Sequence, residues 1–187
     1  MTGVLVDDDD DRAALAAFRN GDRGAFIGLV ERYQRPVYNA ALWILRRPED
    51  AGDVTQTVFL KVIERLDEYD PRFRFFSWLY RIAVNEALDV HRRNGREEPL
   101  AEDADFPAAD GAGPESRLSR AQDSERLSRG LRRLSTGDRT VLTLRHFSDL
   151  SYEEIAQILG VDEKTVKSRL FEARKRLRAL IAREAVN

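Results

Sequence analysis

The sequence predicts an all-α fold: two small helical domains joined by a flexible acidic linker, the second a helix-turn-helix domain. Three observations predict it. Apolar residues recur at helical spacing on both sides of the middle of the chain, with no convincing strand alternation and no tandem repeat. Between those blocks, 96–117 gathers Pro99, Pro107, Pro114, Gly111 and Gly113 among alanines and acids, which suits a linker and not a core. Near the C-terminus, Ser151 to Arg174 carries the punctuation of two short helices joined by a tight turn.

Residues 1–11 end in the run Asp7 to Asp11, and a short, acidic, terminal segment is expected to be disordered. The first domain, 12–95, opens with an amphipathic stretch marked by Phe26, Leu29, Val30, Tyr33, Val37, Ala41, Ile44 and Leu45. Pro36 inside it predicts a kink or a break between two helices. Arg47-Pro48-Glu49-Asp50 reads as a turn. Val54, Val58, Phe59, Val62, Ile63 and Leu66 mark the next helix. After the connecting run 70–76, Trp78, Leu79, Ile82, Ala83, Leu88 and Val90 mark another. The second domain is expected over 118–187, where helical periodicity resumes.

Within that domain, Ser151 and Glu154 form a capping box that starts a helix at Tyr152. Ile155, Ala156 and Leu159 share one face. Gly160 stands where a helix end needs a left-handed residue. Asp162 is placed to cap the next helix at the amides of Lys164 and Thr165. Val166, Leu170, Ala173 and Leu177 then face inward. Lys164, Lys167, Ser168, Phe171, Arg174 and Lys175 are left outward, with Thr165 and Arg169 near the first turns. Lysine and arginine suit phosphates and the acceptor edge of guanine, and Ser or Thr suits most bases. A solvated basic hairpin would show the same spacing.

Composition narrows the function. The chain has 187 residues and is 42% hydrophobic, enough for one ordinary domain or two small ones with packed cores. Its net charge of −2 excludes a DNA binder that grips by bulk charge alone. The balance hides an asymmetry: 97–125 holds nine acids against Arg117 and Arg120, while bases concentrate in 126–145 and 164–178. There is no cysteine, hence no disulfide framework and no thiol metal site or nucleophile. His91 and His146 are far apart, no carboxylate pair carries metal-ligand spacing, and no glycine-rich phosphate loop occurs. No catalytic residue, metal ligand or cofactor is therefore expected. No apolar run is long enough to cross a bilayer and the N-terminus lacks a secretory pattern, so a cytoplasmic location is expected.

The first domain carries two polar clusters. Asp50, Asp53, Gln56, Thr57, Lys61 and Glu64 form a face opposite Val54, Val58, Val62 and Ile63, which by itself reads as solvated surface. Phe73, Phe75, Phe76, Trp78 and Tyr80 crowd together with Arg72, Arg74 and Arg81, followed by Asn85, Asp89, His91, Arg92, Arg93 and Arg96. Rings beside arginines suit single-stranded nucleic acid. Trp78 and Ile82 read as core at their helical spacing, whereas Phe75 and Phe76 are open between core and surface.

Three segments together closely resemble the extracytoplasmic-function (ECF) sigma factors of the sigma-70 family. They are Asp50-Ala-Gly-Asp-Val-Thr-Gln-Thr-Val-Phe-Leu-Lys-Val62, Phe76-Ser-Trp-Leu-Tyr-Arg-Ile-Ala-Val-Asn85, and Leu150-Ser-Tyr-Glu-Glu-Ile-Ala156 with the helix-turn-helix it opens. The resemblance spans about 25–180. It implies a subunit that binds core RNA polymerase and directs recognition and melting of promoter DNA. Asp50, Asp53, Gln56, Thr57, Phe59 and Leu60 would dock on the polymerase. Arg72, Phe75, Phe76, Ser77, Arg81, Asn85, Asp89, Arg92 and Arg93 would read and melt the −10 element as a single strand. Lys164, Thr165, Lys167, Ser168, Arg169, Phe171 and Arg174 would read the −35 element as duplex. The family also implies an anti-sigma factor as partner, no membrane insertion, and a path for the acidic linker near the RNA exit. Two acids, Asp162 and Glu163, open the reading helix and would repel phosphates unless they cap it. Without the resemblance, a helix-turn-helix regulator acting on operator DNA independently of polymerase fits the second domain equally well. No further segment follows Asn187, so built-in C-terminal regulation is not expected.

Overall fold

The computed structural model describes residues 8–94, 127–146 and 150–184, and all regular secondary structure among them is helical. They fall into two compact units, one on each side of the acidic segment. The predicted linker, 96–117, lies outside the described residues.

The first unit is built from α1 (Asp8–Arg19), α2 (Arg23–Leu45), α3 (Pro48–Glu64), a single 3-10 turn (Leu66–Glu68) and α4 (Phe75–Arg93). The expected disorder of 1–11 is corrected for 8–11, which form the first turn of α1. Four aspartates there face the positive end of the helix dipole, a favourable place for anions. Asp11 is fully buried, where its carboxylate accepts hydrogen bonds from the Tyr33 hydroxyl and from Arg32 at 2.7 Å. These two bonds offset part of the cost of burying a charge and fasten α1 to α2.

Asp22 caps α2 by accepting from the amides of Gly24 and Ala25. The helix then runs continuously through Pro36, so of the expected kink or break the break does not occur. Tyr33, Val37, Ala40, Ala41 and Ile44 are buried on either side of it. Their packing outweighs a proline cost of about 3 kcal/mol. The Tyr80 hydroxyl donates to the Pro36 carbonyl at 2.9 Å, tying the site to α4. α2 ends at Arg46 in the left-handed region, φ 64°, and Pro48 takes the first position of α3. Arg47–Asp50 is thus a helix start and not a free-standing turn, because proline's fixed φ and missing N–H cost nothing at that position.

The core of this unit is aromatic. Tyr33, Tyr69, Phe75 and Trp78 form a chain of tilted and edge-on pairs with centroids 5.4–6.1 Å apart. Phe26 meets Phe59 edge-on at 6.4 Å, closing α2 against α3.

The second unit holds α5 (127–132), α6 (Thr136–His146), α7 (Tyr152–Leu159) and α8 (Glu163–Glu184). Ser135 caps α6 by accepting from the Asp138 amide at 3.2 Å. Asp138 in turn accepts two bonds from Arg176, at 2.7 and 2.8 Å, which joins α6 to α8. Leu131, Leu134, Val141, Leu144, Leu150, Ile155, Val166, Leu170 and Ala173 make the core. A Cβ at Gly130 would stand 3.0 Å from Leu177 and 3.1 Å from Ile181, so glycine sets how closely α5 lies on α8.

Candidate nucleic-acid interface

The turn between α7 and α8 forms as the sequence predicts. Ser151 accepts from the Glu154 amide at 3.1 Å while Glu154 accepts from the Ser151 amide at 2.8 Å. Gly160 has φ 64° and its amide donates to Ala156. Asp162 accepts from the Thr165 amide at 2.6 Å, and that bond, with further donors from Thr165 and Lys164, holds its carboxyl below the usual carboxylate range. Glu163 pairs with Lys167 at 3.2 Å. Both acids that open α8 are therefore engaged within the helix.

Val166, Leu170 and Ala173 point inward. Lys164, Lys167, Ser168, Arg169, Phe171 and Lys175 are exposed, Thr165 and Arg174 half-buried. Phe171, 66% exposed, is a large apolar ring on the same face. The structure adds Arg145, which the sequence reading missed. The Tyr152 ring carries the Arg145 guanidinium at 5.2 Å and the Lys167 ammonium at 5.5 Å, so one ring gathers cations from α6 and α8. Arg174 lies 3.2 Å from His146 Nε2. Burial, with Arg174 and Arg145 nearby, pushes the His146 pKa down and keeps the ring neutral at pH 7.

In the first unit the predicted −10 set divides. Phe75 and Phe76 are buried in the aromatic core, Phe75 to 1% exposure, and Ser77 is buried with them. Their role as base-stacking surface is corrected: the first turn of α4 faces inward because its rings complete the packing around Tyr33. The ring that is displayed is Phe73, 50% exposed in the loop before α4. That loop is closed by the Phe73 amide on the Asp70 carbonyl (3.1 Å), the Arg72 amide on the Asp70 carboxylate (3.0 Å) and the Tyr69 hydroxyl on the Phe73 carbonyl (2.9 Å). Arg72 and Asp70 also pair through their side chains, which lowers the Asp70 pKa. Arg81, Asn85 and Arg92 are exposed and Asp89 half-buried, four positions at helical spacing on one side of α4. Arg92 pairs with Asp89, and Arg93 pairs with the buried Glu86, which also holds Lys61.

On α3, Asp53, Gln56 and Leu60 are exposed and Asp50 and Thr57 half-buried. Asp50 accepts from Asn94 at 3.3 Å. Phe59 is buried beneath this face and supports it from below. Ile63, expected on the inward side, is instead exposed next to Leu60. Among the described residues no three metal-binding side chains come together, and no helix is long and apolar enough to cross a membrane.

The Sigma-70 region 2 family matches residues 29–97 and the Sigma-70, region 4 family matches 124–177. The chain is 33% identical over 180 residues to the RNA polymerase sigma-H factor of Pseudomonas aeruginosa, covering 91% of this chain and 93% of that protein. It is 34% identical over 174 residues to the ECF RNA polymerase sigma-E factor of Haemophilus influenzae, covering 88% and 92%. Among solved structures, CnrH in complex with the cytosolic domain of CnrY has a TM-score of 0.66 at 29% identity, covering 92% of this chain and 97% of that one. The sigma factor RpoE of Bartonella quintana in complex with the anti-sigma factor NepR has a TM-score of 0.65 at 25% identity, covering 84% and 96%. With both regions matched in order and the two relatives covering 91% and 88% of it, the chain belongs to the sigma-70 family, as an ECF sigma factor.

Proposed function

We infer that this protein binds core RNA polymerase and directs it to promoters, reading a −35 element as duplex and a −10 element as an opened strand. It is a regulator of transcription rather than an enzyme, and it acts where polymerase acts, in the cytoplasm. The observation that carries the reading is the outer face of α8. Its opening acids are engaged internally, Asp162 at the Thr165 amide and Glu163 with Lys167, and the face presents Lys164, Lys167, Ser168, Arg169 and Phe171, with Arg174 half-buried beside His146. Arg145, brought beside Lys167 by Tyr152, joins this set. Cations of this kind fix register on phosphates, while Ser168, Arg169 and Phe171 supply a hydroxyl, a guanidinium and an apolar surface for base edges.

Asp53, Gln56 and Leu60, with Ile63 beside them, form the polymerase-docking face, flanked by Asp50 and Thr57. Phe73 and Arg72 on the loop, with Arg81, Asn85, Asp89, Arg92 and Arg93 along α4, meet the opened strand. A base stacks on an exposed ring while arginines hold its phosphates, and such stacking is worth about 1–3 kcal/mol per base. Structural relatives are bound to CnrY and to the anti-sigma factor NepR, and this chain is inferred to have an anti-sigma partner of its own.

Adding the protein to purified core polymerase with a library of promoter DNA, then sequencing the transcripts, tests the reading. Start sites that share −10 and −35 motifs support it. An unchanged set of start sites would reject it.

A further inference from the structure

The match to region 2 begins at residue 29, so α1 lies outside it, and the acidic run that α1 begins with has no role in the reading above. The structure places Asp8, the first residue of α1, against the end of the loop before α4. The Asp8 carboxylate lies 3.3 Å from Arg74, the residue that joins Phe73 to α4. Asp8 is also held firmly. One turn further along α1, Asp11 is fully buried and bonded to Tyr33 and Arg32, so the first turn of α1 cannot drift without breaking that anchor. Tyr33 packs on Phe75 and Phe76, the residues that follow Arg74, at 5.7 Å in each case. The loop's internal bonds described above, the Arg72–Asp70 side-chain pair among them, lie between residues 69 and 73. The Arg74–Asp8 pair links its far end to a different element.

We propose that α1 is a positioning element for single-strand capture, with Asp8 acting through Arg74 to fix the loop that displays Phe73 and Arg72. This rests on the assignment of that loop to the opened strand. The mechanism is preorganisation. A loop already set in the binding geometry spends less of its interaction on ordering, and the saving appears as affinity. Asp8 touches no DNA in this scheme and its charge opposes phosphate. Its replacement by a neutral residue therefore separates two ideas. If Asp8 only masked Arg74 from DNA, neutralising it would strengthen capture; if it positions the loop, neutralising it weakens capture.

The test uses the full chain assembled with core polymerase and a fluorescent single-stranded oligonucleotide copying the −10 segment of a promoter recovered by transcript sequencing. Asp8→Asn is expected to weaken binding about fivefold, the equivalent of about 1 kcal/mol. Asp8→Glu restores most of it. Arg74→Gln shows a similar loss, and combining it with Asp8→Asn adds nothing further, because both act on one contact. Affinity for −35 duplex and for core polymerase stays unchanged. Tighter binding by Asp8→Asn, unchanged binding, or full additivity with Arg74→Gln would each overturn the proposal. A wild-type assembly that shows no preference for the strand over a scrambled one would instead overturn the assignment of the loop.

Discussion

At the scale of single residues, two buried or half-buried titratable groups set opposite pH dependences in the two units. Burial raises the Asp11 pKa from 3.8, more than the Tyr33 hydrogen bond and the Arg32 charge lower it. A carboxyl whose folded pKa lies above its unfolded value contributes stability at low pH that is lost as pH rises through the folded pKa. At pH 7 the carboxylate is thus held in that site at a net cost relative to the unfolded chain. Asp11→Asn keeps an acceptor for the Tyr33 hydroxyl and removes the charge. Its thermal midpoint at pH 7 is expected to match or exceed that of wild type, and the slope of stability against pH just above 3.8 should flatten. Asp11→Leu leaves a buried hydroxyl without an acceptor and should cost about 1–3 kcal/mol in denaturant unfolding. His146 behaves in the reverse sense. Its pKa is lowered by burial and by Arg174 and Arg145. Stability it contributes is present above 6.5 and lost as pH falls through the depressed value. Melting of the second unit followed from pH 7.5 to 5 should shift downward in wild type and less in His146→Gln.

At the scale of elements, the turn from α7 to α8 was legible because each of its signals is a local bond. Ser151, Glu154, Gly160 and Asp162 act within three or four residues of themselves, so the chain announces them without its partners. Asp162→Ala removes the N-cap of α8 and is expected to lower the urea midpoint of the second unit. Because the Asp162 pKa is depressed, that contribution should vanish in wild type as pH falls through the folded value. An added Cβ at Gly160 meets nothing within 4 Å, so Gly160→Ala carries only left-handed backbone strain of about 1–2 kcal/mol, and Gly160→Asn less. Comparing the three by urea unfolding checks both. The elements that sequence misjudged depend on distant packing. Pro36 reads as a kink or a break, and the buried residues around it exclude the break. Arg46 gives no left-handed signal, since arginine has no such preference of its own. Phe75 and Phe76 share their composition with a stacking platform, and only the position of Tyr33, more than forty residues earlier, assigns them to the core. Asp7–Asp11 reads as a solvated tail because the partners of Asp11 lie on another helix.

At the scale of the whole molecule, the question is how a chain of net charge −2 works on a polyanion. Local basic faces supply contacts, but the net field of the whole chain does not draw DNA in, so the free chain is expected to be a weak binder. Core polymerase changes this by carrying both units to one promoter. Once one grip is made, the other becomes an intramolecular event, and avidity rises by about 10²- to 10⁴-fold without any new contact. The full chain alone is therefore expected to bind a −35 duplex weakly and with steep salt dependence, and the polymerase assembly to bind the same promoter at least about 10²-fold more tightly. Asp53→Ala combined with Gln56→Ala removes two exposed side chains of α3. It should abolish most of that gain while leaving the thermal midpoint and the duplex affinity of the bare chain unchanged. Fluorescence anisotropy with and without polymerase measures both quantities on one template. A double variant that loses stability would place these residues in the fold, and one that keeps the full gain would move the docking face elsewhere.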